Sequence, residues 1–253
     1  MQKKLELPGK VKPYLMAHRG NQVLCPENTL ASFRHAFEDG TDILETDLHL
    51  SKDGQFICIH DGTLDRTTDG SGAIADLTVA EIKKVSAFNR KAGFEKERVP
   101  LLAETAEILP PDVALALELK TDRFLEEAVC RKLVDELKSY GVLERTIVLS
   151  FNAERVFSVK KVEDGIPVGL ITMKKLGPPL GFDMVGPFFP ILWMNPWYIR
   201  AAHRKGVLVC PLDPTPEPRL AGYLKRGCDA IITNNPAVTR KAVDHWMQMH
   251  HPE

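Results

Sequence analysis

Four short stretches far apart in the chain, His18-Arg19-Gly20, Glu45-Thr46-Asp47, His60-Asp61 and Glu118-Leu119-Lys120, carry the residue types that phosphate-ester chemistry needs. An imidazole ordinarily titrates at about 6.5, so His18 and His60 offer a proton acceptor and a proton donor near neutral pH. Glu45, Asp47 and Glu118 offer oxygen-only ligands, which suit one hard cation, Mg²⁺ or Ca²⁺, better than Zn²⁺. The planar fork of Arg19 and the point charge of Lys120 match phosphate oxygens. Each stretch alone is too short to mean anything. Their joint occurrence points to a one-metal phosphodiesterase site gathered from distant segments.

Gathering such segments requires strand ends. Short runs rich in Val, Ile and Leu recur at 14–17, 43–50, 113–119, 146–150, 167–172, 182–185, 207–212 and 230–233, with helix-like segments between them. Asn28 or Thr29 is placed to cap a helix with Leu30, Phe33 and Phe37 on one face, and Gly40 lies just past its end. Eight strand candidates alternating with helices in about 250 residues predict an α/β fold, a (β/α)₈ TIM barrel forming a single domain over 1–253. The stretch at about 52–100 breaks the alternation and is expected to be a small insertion after the second strand. It holds an extra strand at 56–59 behind the hairpin signal Asp53-Gly54, and a helix-like piece at 77–85 with Asp76 or Thr78 as cap.

Working residues of such barrels sit at the carboxyl ends of strands, and all four stretches fall there. Glu45 and Asp47 share one side of the second strand by the period of two, and Glu118 and Lys120 repeat that spacing on the next. His49 points the same way and is expected to play a supporting part. His35, His203 and His245 lie in helical stretches and are expected to be surface or packing residues.

Composition narrows the partners. The 253 residues carry a formal net charge of −1 and 44% hydrophobic content, with no basic stripe, so nucleic acid is not an expected partner. Five widely spaced cysteines without a C-x-x-C pair argue against a disulfide framework and a zinc site, and fit a reducing cytoplasm. No run approaches the roughly 20 apolar residues of a membrane span. A small-molecule substrate is the expected partner. The apolar stretch 186–197 is expected to pack on the barrel or in a contact between subunits.

In this order, the motifs resemble those of the glycerophosphodiester phosphodiesterase family. The resemblance runs through His18-Arg19-Gly20, Pro26-Glu27-Asn28-Thr29, Glu45-Thr46-Asp47, Asp53-Gly54, His60-Asp61, Leu64-Asp65-Arg66-Thr67-Thr68-Asp69-Gly70, Glu118-Leu119-Lys120 and Ser150-Phe151. It implies a TIM barrel with a small inserted region. It also implies His18 as proton acceptor, His60 as proton donor, Glu45, Asp47 and Glu118 as metal ligands, and Arg19 and Lys120 as phosphate contacts. Phe151 and Asp213 complete the candidate substrate contacts. The implied reaction converts a glycerophosphodiester, such as glycerophosphocholine or glycerophosphoethanolamine, into sn-glycerol 3-phosphate and an alcohol, through a cyclic phosphate or by direct attack of water.

The chain departs from the family pattern at two places. A tryptophan followed three residues on by asparagine is replaced by Cys210-Pro211-Leu212-Asp213, and Thr-Asp-x-Pro by Thr233-Asn234-Asn235-Pro236. Losing an aromatic wall and gaining Asp213 is expected to change how the glycerol or the leaving alcohol is held; Asp213 itself either favours a cationic headgroup or is a solvated loop carboxylate. Three other readings compete, one of them a barrel phosphodiesterase related to the sphingomyelinase D toxins, against which the 64–70 stretch and the lack of disulfide-ready cysteines count. A lysophospholipase D would use 186–197 as a rim for an acyl chain, and a non-catalytic ligand-binding barrel would leave the site idle.

Overall fold

In the computed structural model, which describes residues 6–250, the apolar runs form nine strands among the described residues. They are β1 (Tyr14–His18), β2 (Ile43–Leu50), β3 (Phe56–Cys58), β4 (Ala114–Leu119), β5 (Thr146–Ser150), β6 (Val168–Thr172), β7 (Met184–Pro187), β8 (Leu208–Val209) and β9 (Ala230–Thr233). Eight pair in parallel in the order β8-β7-β6-β5-β4-β2-β1-β9, with helices between them, and β3 pairs antiparallel with β2. This is the expected TIM barrel, nearly closed.

Alternation along the strands separates two cores. Leu44, Leu48, Leu115, Leu117, Val148 and Ile231 face outward and bury against the surrounding helices. Tyr14, Met16, Ile43, Ala114, Ala116, Ile147, Met184, Leu208, Ala230 and Ile232 face inward and fill the barrel. Continuing the inward series by two residues gives His18 after Met16, Glu45 and Asp47 after Ile43, Glu118 after Ala116, and Asn234 after Ile232. An apolar plug therefore turns into a polar floor at the carboxyl ends, and burial of the plug fixes which side each polar residue takes.

The seventh parallel strand is shorter than expected. The strand itself covers only Leu208–Val209, although Cys210 N and Leu212 N still donate toward β7, to Val185 O at 3.0 Å and Pro187 O at 2.8 Å; Pro211, without an N–H, offers no donor on the opposite edge, toward β9. Between β8 and β9 the wall is joined through Asp229. Its backbone N–H donates to Val209 O at 2.9 Å, its Oδ2 accepts from Val209 N at 2.9 Å and from His203 Nε2 at 2.7 Å, and Oδ1 accepts from Lys12 Nζ at 2.9 Å. His203, expected as a surface or packing residue, is half-exposed and takes part in closing the barrel through Asp229.

The insertion has a core of its own, built from Ile57, Ile59, Leu64, Ile74, Ile82, Ala87 and Val99. Its helix is only Val79–Ile82, opened by a capping box between Thr78 and Glu81. Ile59 N donates to Asp47 O at 3.1 Å, which seats His60 beside the end of β2.

Asp229→Ala removes a buried carboxylate with three partners. It should cost about 3 kcal/mol and lower Tm by roughly 6–12 °C. Calorimetry checks this, and an unchanged Tm would show that the barrel closes without it.

Candidate active site

The β1–β2 junction is built around a tight loop. Arg19 and Asn28 both adopt positive φ, at 57° and 52°. Gly20 is required: a Cβ there would lie 2.5 Å from Ser32 Oγ and 2.6 Å from its backbone. Thr29, not Asn28, caps the helix Leu30–Glu38 through a capping box with Ser32. Asn28 is thereby released for the site. It donates from Nδ2 to Asp47 Oδ2 at 2.9 Å and accepts from Thr46 Oγ1 at 2.7 Å.

Parallel register sets His18 beside Glu45 and Asp47 beside Glu118. Carboxylate oxygens of Glu45, Asp47 and Glu118, all buried, lie within 4.8 Å of one another. Arg19 Nε faces Asp47 Oδ2 at 3.1 Å, and Lys120 Nζ faces Asp47 Oδ1 at 3.2 Å while donating to Glu118 Oε1 at 2.8 Å. Asp47 Oδ1 is nonetheless buried without a well-aligned hydrogen bond. A buried carboxylate oxygen without a hydrogen bond, met only by the Lys120 ammonium in a three-carboxylate pocket, fits a divalent cation that Glu45, Asp47 and Glu118 would hold.

The electrostatics follow from burial. Desolvation, then Asp47 and Glu118, push the Glu45 carboxyl well above the usual carboxylate range. Burial also raises Glu118, against the pull of Lys120. For Asp47 burial acts upward too, but Lys120 and Arg19 outweigh it and hold the group below its usual range. Of the three, Asp47 is the carboxylate whose charged form its surroundings favour.

The two histidines have different partners. His60 Nδ1 lies 2.7 Å from Asp61 Oδ1; a carboxylate only accepts, so Nδ1 carries hydrogen and Nε2 is left for chemistry. His49 Nε2 bonds the His60 backbone carbonyl at 3.1 Å, the supporting part expected of it. His18 Nδ1 lies 2.7 Å from Asn234 Oδ1. Gln22 Nε2 approaches Asn234 Oδ1 at 2.7 Å and His18 O at 3.1 Å. Gln22 Nε2 also lies 2.9 Å from His18 Nδ1; an amide oxygen only accepts, so the 2.7 Å contact with Asn234 Oδ1 places hydrogen on His18 Nδ1, with the two hydrogens of Gln22 on the Asn234 and His18 oxygens. Burial, and then Arg19, lower the His18 pKa to about 4, so its ring is held neutral.

Asp213 does not reach the site. It is 3% exposed, its Oδ2 and Oδ1 accept from Arg219 at 2.6 and 2.8 Å, and Tyr223 OH donates to Oδ2 at 2.5 Å. A carboxylate so committed is neither solvated nor free for a cationic headgroup, which corrects both expectations for it. Phe151 follows β5 directly and is 49% exposed at the barrel mouth, open to a ligand. The 186–197 stretch divides: Ile191 and Leu192 pack on the barrel, whereas Met194 and Trp197 are exposed. Asn234, Gln22, Asn28 and Arg66 were not assigned parts in the site from the sequence; Asn234 was marked only as a departure.

A model of the glycerophosphoryl diester phosphodiesterase family matches residues 18–238. The chain belongs to this family. A glycerophosphodiester phosphodiesterase from Caldanaerobacter subterraneus is 35% identical over 234 residues, covering 89% of this chain and 96% of the relative. One from Bacillus altitudinis is 28% identical over 88% of this chain and 94% of its own. Among solved structures, an Oleispira antarctica phosphodiesterase in complex with the product sn-glycerol 3-phosphate has a TM-score of 0.80 at 27% identity, covering 92% of this chain and 97% of that one. The reaction class is phosphoric diester hydrolysis, and the solved structures of the family share the barrel.

Asn234 puts a neutral amide, not a carboxylate, on His18. Asn234→Asp should raise the His18 pKa from about 4 toward the ordinary imidazole range, because an opposite charge favours the imidazolium. NMR titration of the metal-free protein checks this, and an unmoved His18 would contradict the assigned contact.

Proposed function

We propose that this protein hydrolyses small glycerophosphodiesters, such as glycerophosphocholine or glycerophosphoethanolamine, to sn-glycerol 3-phosphate and an alcohol, with one bound Mg²⁺ or Ca²⁺. The observation that carries the reading is the pair of imidazoles, each with Nδ1 engaged, placed at the ends of β1 and beyond β3 around the buried Glu45–Asp47–Glu118 cluster. The complex of the Oleispira relative with sn-glycerol 3-phosphate supports the glycerol half of the substrate.

Arg19 and Lys120 bind the phosphate oxygens in this account, their side chains already aimed at the cluster. His18, neutral at physiological pH, takes the proton of the glycerol 2-hydroxyl at Nε2, and that oxygen forms the new bond to phosphorus. The bond from phosphorus to the alcohol oxygen breaks as His60 Nε2–H delivers its proton there. A cyclic phosphate results, which water opens with the two histidines in exchanged roles. The cation supplies Lewis-acid stabilisation of the charge that develops on the phosphoryl oxygens. Phe151 stands at the mouth, where the headgroup leaves.

His18→Ala and His60→Ala should each slow release of sn-glycerol 3-phosphate from glycerophosphocholine by about 10²- to 10⁴-fold. An enzyme-coupled assay on folded variants checks this. Turnover like that of the unaltered protein in both variants would sink the two-histidine reading.

A further inference from the structure

Arg66 lies in the inserted region, outside the carboxylate cluster, yet its guanidinium is fully engaged toward the site. Nε donates to Asp61 Oδ2 at 2.6 Å, and NH2 reaches Asp61 Oδ1 at 3.2 Å. NH1 and NH2 also donate to Glu27 Oε2 and Oε1, both at 2.9 Å. Glu27 Oε1 accepts in addition from Arg19 NH1 at 2.9 Å, and Asp61 Oδ1 holds His60 Nδ1 at 2.7 Å. Asp47, Arg19, Glu27, Arg66, Asp61 and His60 thus form one chain of alternating charge. It runs from the floor of the barrel to the imidazole on the insertion.

We propose that Arg66 is a positioning residue that fixes His60 through Asp61, so that protonation of the leaving alcohol is aligned with the gripped phosphate. The inference rests on the phosphodiesterase reading above. Two features separate it from a stabilising role. The Arg66 side chain is 45% exposed, and its buried partner Glu27 keeps Arg19 NH1 at 2.9 Å when Arg66 is removed, so no carboxylate is left buried without a cation. Its geometry is bidentate on both partners, which fixes direction as well as charge and which lysine cannot reproduce. Without it, Asp61 keeps a single restraint, its contact with His60, and the ring loses its fixed aim. Arg66 also holds the Asp61 carboxyl down at about 2, so the partner of His60 remains an anion.

The test compares two esters in one assay of leaving-group release. Glycerophosphocholine must lose a basic alkoxide and needs the proton from His60. The 4-nitrophenyl ester of glycerol 3-phosphate loses a stable phenolate and does not. Arg66→Ala should slow choline release by about 10- to 100-fold, part of the full effect of a general acid, and change nitrophenolate release by less than about threefold. Arg66→Lys, which keeps the charge without the fork, should show the same split at an unchanged Tm. Equal losses on both esters in the two variants would mean a structural role, and unaltered rates on both would mean no role; either overturns the proposal. Failure of the unaltered protein to cleave glycerophosphocholine overturns the functional reading instead, so the two failures are distinguishable.

Discussion

Three carboxylates with oxygens within 4.8 Å of one another, all buried, are the constraint around which this molecule is arranged. At an effective dielectric of about 20, two unit charges at that distance repel by about 3 kcal/mol. Three ionised pairs would approach the whole stability of an ordinary protein, about 5–15 kcal/mol. The metal-free chain resolves this in two ways. Glu45 and Glu118 shift toward their neutral forms, and Arg19 and Lys120 close on Asp47. In the proposed function the same two cations would also face the phosphate.

Holding that cluster explains local features that would otherwise look wasteful. Arg19 and Asn28 accept left-handed backbone, and Gly20 lies against Ser32 where no side chain fits, because the β1 loop must turn back to bring Asn28 onto Asp47. The insertion likewise carries its own small core, so His60, Asp61 and Arg66 stand on a packed base. Catalytic groups on a rigid support need little reorganisation when charge develops.

Much of this was legible in the sequence because period two is strict on a strand. Glu-x-Asp and Glu-x-Lys sit on apolar runs whose burial leaves only one orientation, so strand positions, the barrel and the carboxylate set follow from spacing. What escaped was contact across long separations. Asn234 lies on His18 across 216 residues, and no local pattern announces it. Asp213 appeared to be a pocket residue because sequence does not tell whether a carboxylate already has partners; Arg219 and Tyr223 claim it. The motif Leu64-Asp65-Arg66 was visible as a resemblance, but its bearing on His60 depends on a fork whose two targets lie 5 and 39 residues away.

The central claim is that the buried carboxylates exist to hold one divalent cation at which a glycerophosphodiester is cleaved. Release of sn-glycerol 3-phosphate from glycerophosphocholine and glycerophosphoethanolamine by EDTA-stripped protein, before and after addition of Mg²⁺ or Ca²⁺, tests it most directly. The account predicts negligible release from the stripped protein and recovery with at least one of the two ions. Full activity after stripping, or no release from either diester with either ion, would contradict it.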